Sequence, residues 1–258
     1  RGQCRHARSS SSLCLSFDGD EYLWAMRLFY APNVDAVHTL DSDESKHLVR
    51  VLRANVGDHI GLVDGKGHRY EGILTEADKR RCVVSTELVE VQPAPEFPLT
   101  LVIAPTKSTD RFEWLLEKAM EYGVHKIQPV WTERSERKTE KAERWEKILI
   151  SALKQSQQLW LTELAPAMGW LDWLQMEEAR TSAGFIAHCE PGEKEHLFDV
   201  VSTNASCWVA IGPEGDFTVP EIDAACAVGA SAVSLGEQRL RTETAVLAAV
   251  QMHALAHR

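Results

Sequence analysis

The sequence predicts an α/β protein in two parts, a small β-rich domain and a parallel sheet with helices on both faces. Three observations predict it. Short strand-like runs bounded by turn residues occupy positions 26–91, and a proline-rich segment interrupts the chain at 92–98. From 99 to 258, apolar strand runs alternate with helical periods, a pattern that implies a covered parallel sheet.

The first 25 residues have a serine run, no strand or helix period, and neither the apolar core nor the cleavage site of a signal peptide. A strand-like RLFYAP follows Met26 at once. Met26 is therefore expected to be the native start, with 1–25 a non-native or disordered leader. In DESKHLVRVLR, Leu48, Val51 and Leu52 recur at helical spacing. HIGLVD and HRYEGILTEA flank Gly65-Lys66-Gly67, a hairpin turn, and RRCVVSTELVEV continues as a strand. These elements make a small barrel carrying one helix. Pro93, Pro95 and Pro98 then make 92–98 a semi-rigid linker.

Beyond it, LTLVIA is a strand, and a helix opens at Asp110, buries Phe112, Leu115, Leu116, Ala119 and Met120, and stops at Gly123. IQPVW follows as a strand. The stretch 140–157 is a helix with Ala142, Trp145, Ile148, Leu149, Ala152 and Leu153 inward. GFIAH, CWVAI and AVSL are further strands. Thr218 and Glu221 form a capping box for a helix that buries Ile222, Ala225 and Cys226 and stops at Gly229. A last helix over 242–256 buries Val246, Leu247 and Val250.

Composition excludes several classes. With 44% hydrophobic and 26% charged residues the chain is neither disordered nor fibrous, and no run of 18 apolar residues suggests a membrane span. The net charge of −10 argues against a generic polyanion binder. That acidity is local: residues 161–258 hold 5 bases against 14 acids, whereas 96–160 hold 11 against 10. The six cysteines lack metal or disulfide spacing, so no metal is expected, and a reducing cytoplasm is the simplest home.

In an open parallel sheet, ligands bind beyond the carboxyl ends of the strands. Three loops leave such ends: 188–192, 212–216 and 235–244. Gly212-Pro213-Glu214-Gly215 lets a ligand approach the main chain, although a tight strand-to-helix turn needs the same residues. It is neither a dinucleotide fingerprint nor a P-loop. Arg239, Arg241, Thr242 and Glu243 open the last helix, where capping and dipole pairing explain them equally well. His47, Arg50 and Arg53 fall on one helical side and Arg134 lies in a basic loop; such patches either contact phosphate or are simply solvated. Trp145 and Trp160 read as core residues, and His188 as a strand-end hydrogen-bonding residue.

Taken together the motifs resemble a known family. IGPEGDFT at 211–218, followed by LGEQRLRTETA at 235–245, is similar to the knotted SPOUT methyltransferases. Within them the chain resembles the ribosomal RNA small-subunit methyltransferase E family, whose members methylate uracil N3 in 16S rRNA. The match runs from Met26 through RLFY, HLVRVLR, Gly57-Asp58, DGKG, Lys107, EKAMEYGV, Pro129, ERS at 133–135 and Ala152 with Gln155-Ser156. It departs at Tyr122 for leucine, Gln158 for arginine, Thr162 for proline, Gln238-Arg239 for Arg-Ile, and Asp216 for the second glycine of GPEGG.

The resemblance implies a PUA-like, RNA-holding barrel at 26–91 and a trefoil-knotted SPOUT domain at 99–258. It also implies an S-adenosylmethionine cofactor, a homodimer and a small-subunit rRNA partner. By motif, His188, Ile211, Gly212, Gly215, Leu235, Gly236, Leu240 and Arg241 become cofactor contacts. Arg241 and Glu243 become catalytic candidates, and Arg27, His47, Arg50, Arg53, Lys107, Arg134 and Arg239 RNA contacts. Uracil N3 is a poor nucleophile until deprotonated, so Arg241 would stabilise charge on the uracil oxygens while Glu243 orients it or takes the proton. Two alternatives stay open: a knotted methyltransferase acting on ribose 2′-O or another base, and a non-catalytic RNA-binding assembly factor.

Overall fold

A computed structural model describes residues 28–136, 138–201 and 206–257. The leader, the expected start at Met26, Arg27 and Arg137 lie outside the described residues.

Strands β1 (Leu28–Tyr30), β2 (Val37–Thr39), β3 (His59–Val63), β4 (His68–Glu76) and β5 (Val83–Val91) form one sheet in the order β1-β3-β4-β5-β2. β1 runs parallel to β3, and the other pairs are antiparallel. Register shifts in the β4–β5 ladder curl the sheet around Phe29, Leu48, Ile60, Leu62, Leu74 and Val84. The expected hairpin across Gly65–Gly67 joins β3 to β4. Asp64 holds it by accepting from the Lys66 N–H at 2.7 Å and the His68 N–H at 3.1 Å.

The expected helix exists, with an irregularity. α1 (Ser42–Lys46) is capped by Asp41, which accepts from the N–H groups of Asp43 and Glu44 at 2.8 Å. It continues as a π-helical turn over His47–Val51, closed by the Leu52 N–H on the His47 carbonyl at 3.1 Å. The extra residue in that turn rotates the succeeding side chains by about 100°. Leu48 is therefore buried while Val51, expected beside it, faces solvent.

The larger sheet contains β6 (Leu99–Ile103), β7 (Lys126–Trp131), β8 (Glu163–Leu164), β9 (Met168–Gly169), β10 (Ala183–Ala187), β11 (Glu195–His196), β12 (Cys207–Ile211) and β13 (Ser231–Ser234). Its order is β11-β13-β10-β12-β6-β7-β8, with β9 also on β7, and every pair is parallel. Helices α2 (Thr109–Glu121), α3 (Ala142–Ser156), α6 (Leu197–Val201) and α8 (Thr242–Ala256) cover one face. α4 (Trp170–Trp173), α5 (Glu177–Thr181) and α7 (Val219–Ala227) cover the other. The period of two is visible in β12, where Cys207, Val209 and Ile211 enter the first core and Trp208 and Ala210 the second.

Three burial expectations differ here. Ala142 opens α3, ahead of the turns that pack on α2, and is exposed. Leu247 is half-buried. Cys226 is exposed because the buried arc of α7 is centred among Glu221, Ile222 and Ala225, and Cys226 lies roughly 90° from that centre at 100° per residue.

The DGKG hairpin docks one sheet on the other. The Gly67 N–H donates to the Leu159 carbonyl at 2.9 Å, and the Leu161 N–H to the Gly65 carbonyl at 3.0 Å. The indole of Trp160 donates to the carbonyls of Gln92 (3.2 Å) and Pro93 (3.0 Å). Gly67 has φ +93°, and a Cβ there would stand 2.5 Å from the Gln92 carbonyl oxygen, so only glycine fits. Lys154 pairs with Glu44 at 2.7 Å beside this contact. No described helix is long and apolar enough to cross a membrane.

Candidate functional site

The three candidate loops converge because their strands end together. Ala187, Ile211 and Ile103 are register partners across β10, β12 and β6, and Val233 of β13 pairs with Ala187. Beyond that shared edge lies a cavity of about 990 Å³. All eight residues proposed as cofactor contacts line it: His188, Ile211, Gly212, Gly215, Leu235, Gly236, Leu240 and Arg241.

Side chains tie the loops to one another. Asp216 accepts the Cys189 N–H at 2.7 Å through one carboxylate oxygen and the Phe217 N–H at 2.7 Å through the other. Its backbone is left-handed, φ +63°, a conformation Asp tolerates better than most residues. Arg134 donates to the carbonyls of Gly215 (2.7 Å) and Phe217 (3.3 Å). Buried Thr242, the first residue of α8, donates its hydroxyl to the Gly212 carbonyl at 3.3 Å. Glu221 anchors the base of α7: its carboxylate accepts from the Thr218 N–H (2.9 Å), the Thr218 hydroxyl (3.1 Å) and the Glu133 N–H (2.8 Å).

Gly236 has φ +127°, and a Cβ there would meet open space, so its constraint is conformational and leaves bare main chain at the cavity wall. Both ring nitrogens of His188 are buried and lack a partner among the described residues. Burial and the Lys194 ammonium push its pKa below the ordinary histidine value, so the ring is neutral near pH 7. Burial and then Asp216 push the Cys189 thiol up, which leaves it protonated rather than a nucleophile.

The two catalytic candidates share the cavity without a direct ion pair. Glu243 pairs instead with Arg111 of α2, at 3.6 Å. Arg111 carries no signal in the sequence, since nothing in the period of α2 marks a surface arginine as facing a site 132 residues further on. Arg241 is exposed and precedes α8.

The RNA candidates divide. Arg134 and Arg239 line the cavity, and Lys107 stands at its rim, its N–H donating to Glu214 (3.1 Å) and its ammonium pairing with Glu136 (2.7 Å). His47, Arg50 and Arg53 are exposed on the smaller domain, outside the cavity lining. Two departures from the family pattern support the scaffold: Gln158 reaches the Glu121 carbonyl at 3.4 Å, and Thr162 the Val124 carbonyl at 2.6 Å.

The cavity fits an adenosyl-methionine group. Its volume is of the size of a small-molecule site, its walls offer main chain at Gly212, Gly215 and Gly236, and His188 presents ring nitrogens that have no partner among the described residues.

Comparison with known proteins agrees with this geometry. The family profile described as RNA methyltransferase domain matches residues 93–254, and that described as RNA methyltransferase PUA domain matches 40–87. The ribosomal RNA small subunit methyltransferase E of Synechocystis sp. is 30% identical over 241 residues, covering 91% of this chain and 79% of the relative. That of Aquifex aeolicus is 30% identical over 221 residues, covering 83% and 92%. The crystal structure of the Neisseria gonorrhoeae enzyme of that name, bound to S-adenosyl methionine, superimposes with a TM-score of 0.76 at 32% identity, covering 88% of this chain and 95% of that one. On the joint weight of the profile, the relatives and the converging loops, the chain belongs to the ribosomal RNA small subunit methyltransferase E family.

Proposed function

We propose that the chain transfers a methyl group from S-adenosylmethionine to N3 of a uridine in small-subunit ribosomal RNA, as a step in ribosome biogenesis. One observation carries this reading: three loops tied by Asp216, Arg134 and Thr242 enclose a single cavity beside the exposed cations Arg239 and Arg241. The family name supports the RNA, and the resemblance in the motifs supports N3.

His188, Ile211, Gly212, Gly215, Leu235, Gly236, Leu240 and Arg241 would hold the cofactor, which when bound supplies an electrophilic methyl on a sulfonium. Arg241 would face the uracil oxygens and favour the N3 anion. Glu243, held toward the cavity by Arg111, would take the N3 proton directly or through water. Arg239, Lys107, His47, Arg50 and Arg53 would contact phosphates, while Arg134 fixes the GPEG loop. The domains would divide at 92–98, with 26–91 holding RNA. The last helix, packed on α2, α6 and β12, would close a trefoil knot. Exposed Trp114 of α2 and Phe198 of α6, helices that both pack on α8, would supply apolar surface for a homodimer, and the chain would act in the cytoplasm.

The test is mass spectrometry of nucleosides from small-subunit rRNA incubated with the chain and labelled cofactor. Labelled 3-methyluridine is the expected product. A ribose 2′-O-methyl product, or none, would overturn the assignment.

A further inference from the structure

We propose that the loop between β10 and β11 recognises the amino-acid end of the methyl donor, with Lys194 facing its carboxylate and Glu190 its ammonium; this rests on the cofactor reading proposed above. Lys194 closes that loop on itself. Its ammonium donates to the carbonyls of His188 at 3.0 Å and Glu190 at 2.5 Å. Both residues of the pair are half-buried, and both line the large cavity.

The charge of Lys194 is not spent in closing the loop. A lysine ammonium has three donors, and here two serve neutral carbonyls, so one N–H and the whole charge remain. Among the described residues no carboxylate forms an ion pair with it, and the Glu190 carboxylate has neither a hydrogen bond nor an ion pair. Asp216 bears on the same loop, but its two oxygens already hold the Cys189 and Phe217 N–H groups. The other cations on the cavity wall, Arg111, Arg134, Arg239 and Arg241, are exposed. Arg111 is paired with Glu243, and Arg134 is engaged by the Gly215 and Phe217 carbonyls. A charge drawn partly out of water without a counter-charge costs free energy, and a ligand of opposite sign recovers it.

The chemistry of the donor supplies that ligand. S-Adenosylmethionine carries a single anionic group at neutral pH, the carboxylate of its methionine end, beside an α-ammonium. Its adenine and ribose are neutral. The sulfonium is also cationic, yet only the methionine end offers a carboxylate to a lysine. A cation and an anion on one loop therefore complement that zwitterion.

Calorimetry with two probes on the full chain separates recognition from loop support. S-Adenosylhomocysteine keeps the amino-acid end, and 5′-methylthioadenosine lacks it. For Lys194→Met we expect the S-adenosylhomocysteine Kd to rise about tenfold and that of 5′-methylthioadenosine to stay within about twofold, as for one lost hydrogen bond to a charged group. Glu190→Gln should weaken S-adenosylhomocysteine about threefold and spare the other probe. Lys194→Arg keeps the charge and should retain most of the affinity. Undiminished binding of 5′-methylthioadenosine also shows that each variant is folded. Equal losses for both probes in Lys194→Met would overturn the proposal and leave Lys194 as a loop fastener only; unchanged affinity for both would overturn it too. In either case wild-type binding of S-adenosylhomocysteine keeps the cofactor reading standing. A wild-type chain that binds neither probe would sink that reading and the proposal together.

Discussion

Asp216 and Cys189 are joined by a 2.7 Å hydrogen bond from main-chain N–H to carboxylate, which links the loop after β12 to the loop after β10. The same carboxylate accepts from Phe217 at 2.7 Å, so one side chain sets the spacing of two walls of the candidate cofactor cavity. Asp216→Ala loses both bonds and strains a left-handed backbone, whereas Asp216→Gly relieves the strain but still loses the bonds. We expect cofactor Kd to rise about tenfold in both, by calorimetry, with the alanine variant about 1 kcal/mol less stable than the glycine variant.

Arg241 and Glu243 should separate binding from chemistry. Arg241→Ala and Glu243→Gln are each expected to lower kcat about 100-fold, in the range of a lost charge stabiliser or general base, with cofactor Kd nearly unchanged in Glu243→Gln and raised several-fold in Arg241→Ala, whose side chain also lines the cavity. Arg111→Ala frees Glu243 and should lower kcat by a smaller factor, about tenfold. Full activity in Arg241→Ala would remove that residue from the mechanism.

Gly236→Ala tests a conformation rather than a contact. A side chain there meets open space, yet φ +127° is a region L-residues rarely adopt. The loop should shift, costing about 1–3 kcal/mol, weakening cofactor binding and lowering the melting temperature by a few degrees.

Acid should destabilise the fold through His253. Burial, then neighbouring His257, lowers its pKa from 6.5 to about 4. Between those values the unfolded chain takes up a proton that the folded one refuses. The contribution is therefore complete above pH 6.5 and is lost as pH falls toward 4, by about 1 kcal/mol after allowance for solvent at the helix end. His253→Gln should flatten the melting temperature over that window.

Trp160→Ala should loosen the docking of the smaller sheet, since its indole bridges to Gln92 and Pro93 and packs over Gly67. RNA KM should rise several-fold while cofactor Kd holds, as measured by methylation at varied RNA.

Most of the architecture is legible in the sequence because it obeys local periods. Phe112, Leu115, Leu116, Ala119 and Met120 of α2 all fall inward as their spacing requires, and the strands β6, β7, β10, β12 and β13 lie where apolar runs place them. The two-residue strands β8, β9 and β11 and the helices α4 and α5, of four and five residues, escape because a strand of two residues shows no alternation and a helix of little more than one turn shows no 3.6-residue period. The π-helical turn at 47–51 escapes for another reason: it changes the period itself, and so misplaces Val51.

The order of strands and helices, the motif set of the family, and the three loops of the cofactor cavity are all written in the linear chain. Each is encoded in a short contiguous stretch, where neighbours along the backbone carry the signal. The meeting of Glu243 with Arg111, the locking of neighbouring loops by Asp216 and Arg134, and the docking of one domain on another by DGKG arise only in the folded molecule. Those pairs are separated by 27 to 132 residues, and a contact at such range depends on strand order and helix packing, which no local pattern encodes.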